Sequence, residues 1–307
     1  MSTTAPITLG ESGLFDPTAP LMPSGNLRRR AVVDRAVQVI ATVAAVVAVA
    51  VLVIIVIGVA KHGAEALSLN FVIQNPQGLA GGGIVNALLG TLEIVLAGAL
   101  VALPLGILTG LYLTEFAGPR SRSARVMKLA LDMMAGLPTI IVGLFIYGLI
   151  VIPQHRESGF AGAIALSIIM LPLIARASQE VLLLVPGSLR EAADALGVNR
   201  WRTVLTVILP AAMGGIVTGA ILAIARAAGE TAPLLICDGI YNPNTTSFNL
   251  FHGVSSVPMF IYTSYDLPLT QAVDRAWAAA FVLMVFILLA NILARVFLGR
   301  SRAKMAR

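Results

Sequence analysis

Two residues of opposed chemistry sit where almost nothing else can react. Within ARAAGETAPLL (225–235), Arg226 and Glu230 are the only charged residues between Thr203 and Cys237. A guanidinium presents a planar fork of N–H donors and keeps its charge, which suits anionic oxygens. A carboxylate accepts from hydroxyl or N–H donors, and the Thr231 hydroxyl stands beside it. Residues at i and i+4 share one helix face, so the two can also neutralise each other as an intrahelical ion pair. A charge at mid-bilayer costs about 2.5–3.5 kcal/mol on an insertion scale, and intramembrane ionisable groups are functional candidates by default. The residues alone allow both a structural pair and a functional site.

The surroundings of that pair set the solvent. The chain has 307 residues, 58% hydrophobic and 12% charged. Soluble domains carry about 25% charge and roughly 45–50% apolar residues. So much apolar surface cannot be hidden in one water-soluble core, which points to several bilayer-spanning helices. The net charge of +6 is spread between apolar runs rather than clustered on one face, unlike a nucleic-acid binder. The single cysteine, Cys237, excludes an intrachain disulfide and reads as a small apolar residue near a helix end.

A spanning helix needs about 20 mainly apolar residues. Six segments qualify, near 36–60, 84–113, 129–153, 159–176, 204–236 and 276–299. Residues 1–35 form a polar tail and 300–307 a second short tail. The first apolar run is too long for a cleaved signal peptide. Pro104, Pro138 and Pro172 are expected to kink their spans, and Pro210 with Gly214 and Gly215 to kink the fifth. Glycines 81–83, 98, 106, 110, 143 and 148 are expected to permit close packing. Of the 21 Lys and Arg residues, 17 flank the spans on one side, while Lys61, Arg156 and Arg275 flank the other. Basic residues concentrate in cytoplasmic loops, so both termini are expected inside a cell membrane.

The inside segment between spans four and five is too long for a simple turn. Ser188 is expected to cap a helix with Glu191 and Asp194 near its positive end. Leu189, Ala192, Ala193 and Leu196 make an apolar stripe, Gly197 ends the helix, and Asn199-Arg200-Trp201 starts another segment. Such a helix either docks in a partner groove or lies on the bilayer surface.

The stretch EAADALGVNRWRTVLTVILP (191–210) resembles the EAA motif of ABC importer permeases. Glu191, Ala192, Ala193, Gly197, Leu209 and Pro210 match at the full spacing, with Val207 where isoleucine is usual. The resemblance implies an all-α membrane protein of the type I permease fold. Six helices and a cytoplasmic coupling helix in 188–210 are expected, within a permease domain over 84–299. In that family the short helix inserts into a cleft on a separate ATPase, and this sequence has no GxxxxGK[ST] loop of its own. ATP is then used by a partner, and this chain itself binds no cofactor.

LPLGILTGLYLTEFA (103–117), LDMMAGLPTIIVGLF (131–145) and ARAAGETAPLL resemble the phosphate permeases PstA and PstC, with Thr139 where serine is common. GETAPLL followed by SSVPMFIYTSYD (255–266) is closer to PstA. By that resemblance, Arg226 and Glu230 correspond to an arginine and a glutamate essential for transport, with Thr231 in the same pathway. Arg226 stands 16 residues beyond Pro210, about 24 Å along an ideal helix and past the midplane. Arg226 would face phosphate oxygens, and an ionised Glu230 would accept from a P–OH. Sulfate has no such donor to offer and would leave that group unpaired. The implied partners are a PstC-like permease, PstB-like ATPase subunits, a PstS-like phosphate-binding protein and lipid, with no nucleic acid. The alternatives are the PstC-like position, a molybdate or sulfate permease, or an integral-membrane enzyme. No nucleophile, acid–base set or metal-ligand spacing supports the enzyme. Glu93 is expected to face water near the outer end of its span, and Asp132 to pair with Lys128.

Overall fold

The computed structural model describes residues 27–78, 81–118, 120–239 and 249–305. The polar stretch 1–26 lies outside these, as do residues 241–248 of the polar, turn-rich segment 241–249, which reads from sequence as an outside loop. The chain divides into two units, residues 1–56 and 57–307. The first contains the start of helix α1 (Leu27–Ala66), whose apolar residues surround the helix on every side. That pattern suits lipid rather than one packed face.

The second unit continues from α1 into a short helix, α2 (Leu69–Ile73), capped by the Ser68 hydroxyl. A small hairpin pairs β1 (Pro76–Gln77) with β2 (Gly81–Gly82), and Gly82 takes φ +73°, a conformation that favours glycine. The long helix α3 (Val85–Leu111) runs on into a π turn, Tyr112–Phe116. Then come α4 (Arg122–Gly136) and α5 (Thr139–Ile146), a π turn at Tyr147–Val151, and the short α6 (Ile152–Gln154). Next are α7 (Gly159–Leu183), α8 (Gly187–Ala195) and α9 (Arg200–Thr203), with a third π turn at Val204–Ile208. The chain closes with α10 (Leu209–Ala227), α11 (Ala232–Cys237), α12 (Val257–Tyr265) and α13 (Thr270–Met305).

Among the described residues, five helices are long and apolar enough to cross a membrane, and a sixth span results if α4 and α5–α6 count as one. The third expected span is therefore broken: its two parts meet at 102°. The cause is local. Leu137 precedes Pro138, which disfavours α geometry, and both residues are extended with ψ of 135° and 132°. Pro104 and Pro172, by contrast, lie inside continuous helices.

The core is the packing of α3 on α7, with α10 against α7 and α13. On α3, Gly98, Gly106 and Gly110 recur on one face, with Ala102 between them. A Cβ at Gly98, Gly106 or Gly110 would come within 2.8 Å of Ala163 O, Ile174 Cγ2 or Ser178 Cβ respectively. Small residues thus let the two backbones approach, as expected in lipid, where packing replaces the hydrophobic drive. Gly148 has open space beside it and takes no part in such packing. Thr91 ties α3 to α12: its Oγ1 donates to Ala87 O at 2.7 Å and accepts from Val257 N at 2.8 Å.

Two charged contacts were not foreseen. Asp132 pairs with Arg176 of α7 rather than with Lys128, which locks α4 to α7. Arg275, expected as a loop charge, is buried with its guanidinium 5.9 and 5.4 Å from the Phe71 and Phe260 ring centroids. Its Nη2 donates to Gly83 O. Stacked on aromatic faces, an arginine holds helix ends together through cation–π attraction.

Candidate functional site

The fifth expected span is not one helix to residue 236. It passes through Pro210 without a break and ends instead at Ala227. Gly229 favours unwinding, and Pro233, which has no N–H to donate, suits the first turn of a new helix rather than the interior of a continuing one. Ala228 N donates to Ile224 O at 3.0 Å, Gly229 N to Arg226 O at 3.1 Å and Glu230 N to Ala227 O at 3.1 Å. These bonds tighten the last turn, and the chain re-enters helix at α11 after Thr231.

Arg226 therefore occupies the last turn of α10, and Glu230 lies beyond its end. They do not share a helix face, and no ion pair joins them. Among the described residues, neither side chain has an ion-pair or hydrogen-bond partner. Arg226 is exposed, on the same strip as Leu222 and Gly229, while Glu230 and Thr231 are half-buried. The opposite side of α10, with Ala223, Ala227 and Ala228, enters the core beside Ile94, Leu166 and Leu234. A cation near a helix C-terminus is favoured by the exposed carbonyls there. The guanidinium is thus carried at the end of a packed helix with its donors unused.

The half-helix α11 is anchored from behind. Pro233 abuts Gly143 of α5, and the Cys237 thiol donates to Gly143 O at 3.2 Å. Cys237 is buried at a helix end, as its residue type suggested. The two broken elements, α4–α5 and α10–α11, therefore brace each other through α5 and α11. An apolar cavity of about 240 Å³ reaches Ala228 from between α3, α12 and α13, lined by Leu88, Val95, Val257 and Phe286. It contains no charged group and does not suit an oxyanion.

Past α11, Asp238 is 1% exposed, and its Oδ1 accepts from Val254 N at 2.9 Å. Burial pushes its carboxyl up to about 8, with Glu157 and Glu93 adding to the rise and the Val254 bond opposing it. Raised from an ordinary value of 3.8, it holds a proton in the folded chain that the unfolded chain releases. Stability from this group is complete below pH about 4 and is lost as pH rises toward about 8. We expect Asp238→Asn to flatten thermal stability across that window and to unfold at higher temperature than the parent above pH about 8. Thermal unfolding in detergent at several pH values measures this.

The second functional feature is α8. Its first residue is Gly187 with Pro186 as N-cap, so Ser188 lies within the helix and caps nothing. At the other end, Gly197 has φ +67°, Gly197 N donates to Asp194 O at 3.0 Å and Val198 N to Ala193 O at 3.1 Å. This is a Schellman cap, which satisfies the last carbonyls and needs a residue tolerant of left-handed geometry. It explains the spacing of Gly197 from Glu191. Asn199 Oδ1 then accepts from Trp201 N to start α9. Of the apolar stripe, only Ala193 is buried. Leu189, Ala192 and Leu196 are exposed, Leu196 at 81%, and so is Glu191. Leu209 and Pro210 begin α10, beyond the π turn.

Sequence reasoning missed the support of this helix. Arg190, counted there only as a loop charge, reaches Glu115, which is 2% exposed at the end of α3. The guanidinium Nη2 lies 2.7 Å from Glu115 Oε1, and Nε lies 3.2 and 3.3 Å from the two carboxylate oxygens. Nη1 and Nη2 also donate to Val185 O and Leu182 O at 2.8 and 3.0 Å.

Comparison with known proteins agrees with this architecture. Residues 102–303 match the family described as binding-protein-dependent transport system inner membrane component. The chain is 39% identical over 241 residues to the phosphate transport system permease protein PstA of Haemophilus influenzae, covering 78% of this chain and 84% of the relative. It is 36% identical over 277 residues to PstA of Xylella fastidiosa, covering 90% and 96%. PstA 1 of Mycobacterium tuberculosis is 41% identical over 215 residues. In fold, it resembles the inward-facing MetNI methionine ABC transporter, with TM-score 0.58 and 18% identity over 71% of this chain and 95% of that one. Together with five or six apolar spans, these likenesses make it a multi-pass membrane protein. The chain belongs to the binding-protein-dependent transport system inner membrane components and, within them, to the PstA permeases.

Proposed function

We propose that the chain is one half of the membrane pathway of an ATP-driven phosphate importer. The observation that carries this reading is the exposed, unpartnered Arg226 at the helix break, with half-buried Glu230 just beyond it. The names of the relatives support phosphate as the ion carried. Arg226 offers its fork to the anionic oxygens, while Glu230 accepts from a P–OH and Thr231 adds a hydroxyl. Leaving both charges unpaired costs the empty protein energy that the ligand recovers. The site guides the ion without holding it, since conduction requires release.

A single chain exposes this strip, so a second, PstC-like permease closes the path from the facing side. The exposed stripe Leu189, Ala192 and Leu196, with Glu191, suits the groove of a separate PstB-like ATPase that hydrolyses ATP for the pair. A PstS-like binding protein delivers the ion at the opposite face. The distribution of 17 of 21 basic residues supports cytoplasmic termini and a cytoplasmic α8.

Proteoliposomes holding both permeases, the ATPase and the binding protein test this reading. ATP-dependent accumulation of labelled phosphate, with sulfate and molybdate left outside, is expected. Accumulation of molybdate or sulfate in preference to phosphate would overturn the assignment of the ion.

A further inference from the structure

The pair Glu115–Arg190 does more than close a loop. Glu115 lies in the π turn that ends α3, and a π turn re-aims side chains relative to a regular helix. The next residue, Phe116, meets Trp201 of α9 edge-on at 5.2 Å. Adjacent residues of one turn thus grip both helices of the docking segment, α8 through Arg190 and α9 through Trp201. The same guanidinium satisfies carbonyls at the end of α7, where a helix has no donors of its own left.

From that end the packing continues to Arg226. Val181 fills the space beside Gly215, and Ala177 the space beside Gly219, so α7 and α10 touch without side chains between them on the α10 side. Helix α10 ends at the Arg226 turn. Packed helices shift between discrete arrangements rather than deforming continuously, so displacement at one end is passed along.

A buried ion pair is weak evidence for stability, because apolar residues of similar volume serve as well. Its geometric demand is the better reason for its presence: a bidentate pair accepts one orientation. We propose that Glu115 and Arg190 are positioning residues that make α8 move as one body with the ends of α3 and α7. Closure of the ATPase then reaches the helix break at Arg226 instead of being absorbed in the 184–186 linker. This rests on the reading of α8 as the ATPase-docking helix.

The test uses the whole importer in proteoliposomes, carrying Glu115→Gln or Glu115→Asp. The readouts are ATPase subunits co-purified per permease and phosphate transported per ATP hydrolysed. Glu115→Gln is expected to retain its ATPase subunits while phosphate per ATP falls about tenfold. Glu115→Asp, which keeps the charge on a shorter arm, is expected to assemble fully and fall a few-fold. A merely structural pair would lower the yield of complex and leave phosphate per ATP unchanged in the molecules that assemble, which overturns the proposal. If Glu115→Gln does not assemble, an unchanged ratio in Glu115→Asp overturns it equally. ATPase missing from the parent complex would instead sink the docking reading, and this proposal with it.

Discussion

Replacing Arg226 by glutamine is expected to lower phosphate uptake ten- to hundredfold while the amount of protein in the membrane stays constant. A hydrogen bond to a charged group contributes about 1.5–3 kcal/mol, and each 1.36 kcal/mol is about tenfold in rate. Protein amount should hold because Arg226 is exposed and has no partner within the chain, so its removal orphans no buried group. Arg226→Lys keeps the charge but loses the planar fork, and an intermediate loss is expected. Glu230→Gln should act on selectivity more than on rate, because an amide can donate to sulfate as well as accept from a P–OH. Uptake of labelled phosphate, normalised to membrane content, checks the series. Parent-level uptake by Arg226→Gln would remove the residue from the path.

The second large effect concerns the end of α8. Left-handed geometry costs a residue with a Cβ about 1–2 kcal/mol, and β-branched residues are genuine outliers there. Nothing crowds a Cβ at Gly197, so backbone conformation alone sets the cost. Substitution should therefore rank Asn mildest, Ala next and Val worst. With φ of +67° forbidden, Val198 N and Gly197 N lose Ala193 O and Asp194 O, and α8 frays at its last turn. Gly197→Val is expected to weaken ATPase binding by about tenfold or more, at about 1.4 kcal/mol per decade, and Gly197→Asn by much less. Titration of purified ATPase onto the detergent-solubilised permease pair measures the ranking. Equal affinities across Asn, Ala and Val would show that the cap does not shape the docking surface.

The sequence was most legible where spacing encodes local geometry. Glu191, Ala192, Ala193 and Gly197 span a helix and its cap, so residue types at fixed intervals are enough to read it. Small residues at Gly98, Gly106 and Gly110 likewise announce close helix packing on α3. The break after Ala227 was less legible, because hydropathy runs unbroken through it and Arg226 and Glu230 stand at a helical interval. The informative signals were Gly229 and Pro233, weak individually and strong together. A kink at Pro138 was legible from the proline itself, but a bend of 102° was not, because the apolar run around it is long enough to span unbroken. Glu115 and Arg190, 75 residues apart, could not be paired from sequence, since only the α3–α7 packing brings them together. Asp132 had an i−4 lysine within reach and took Arg176 instead, because α7 packs across it.

Access of water to position 226 is the central claim, and cysteine labelling tests it most directly. The chain's single cysteine, Cys237, is buried, so Cys237→Ser provides a clean background. In the assembled importer, Arg226→Cys should react with a small water-soluble thiol reagent, and excess phosphate with liganded binding protein and ATP should change the rate. Ala227→Cys, on the packed side of the same turn, should remain unreactive. If position 226 is as inert as position 227 in the resting and the ATP-driven transporter, the guanidinium does not line the ion's path.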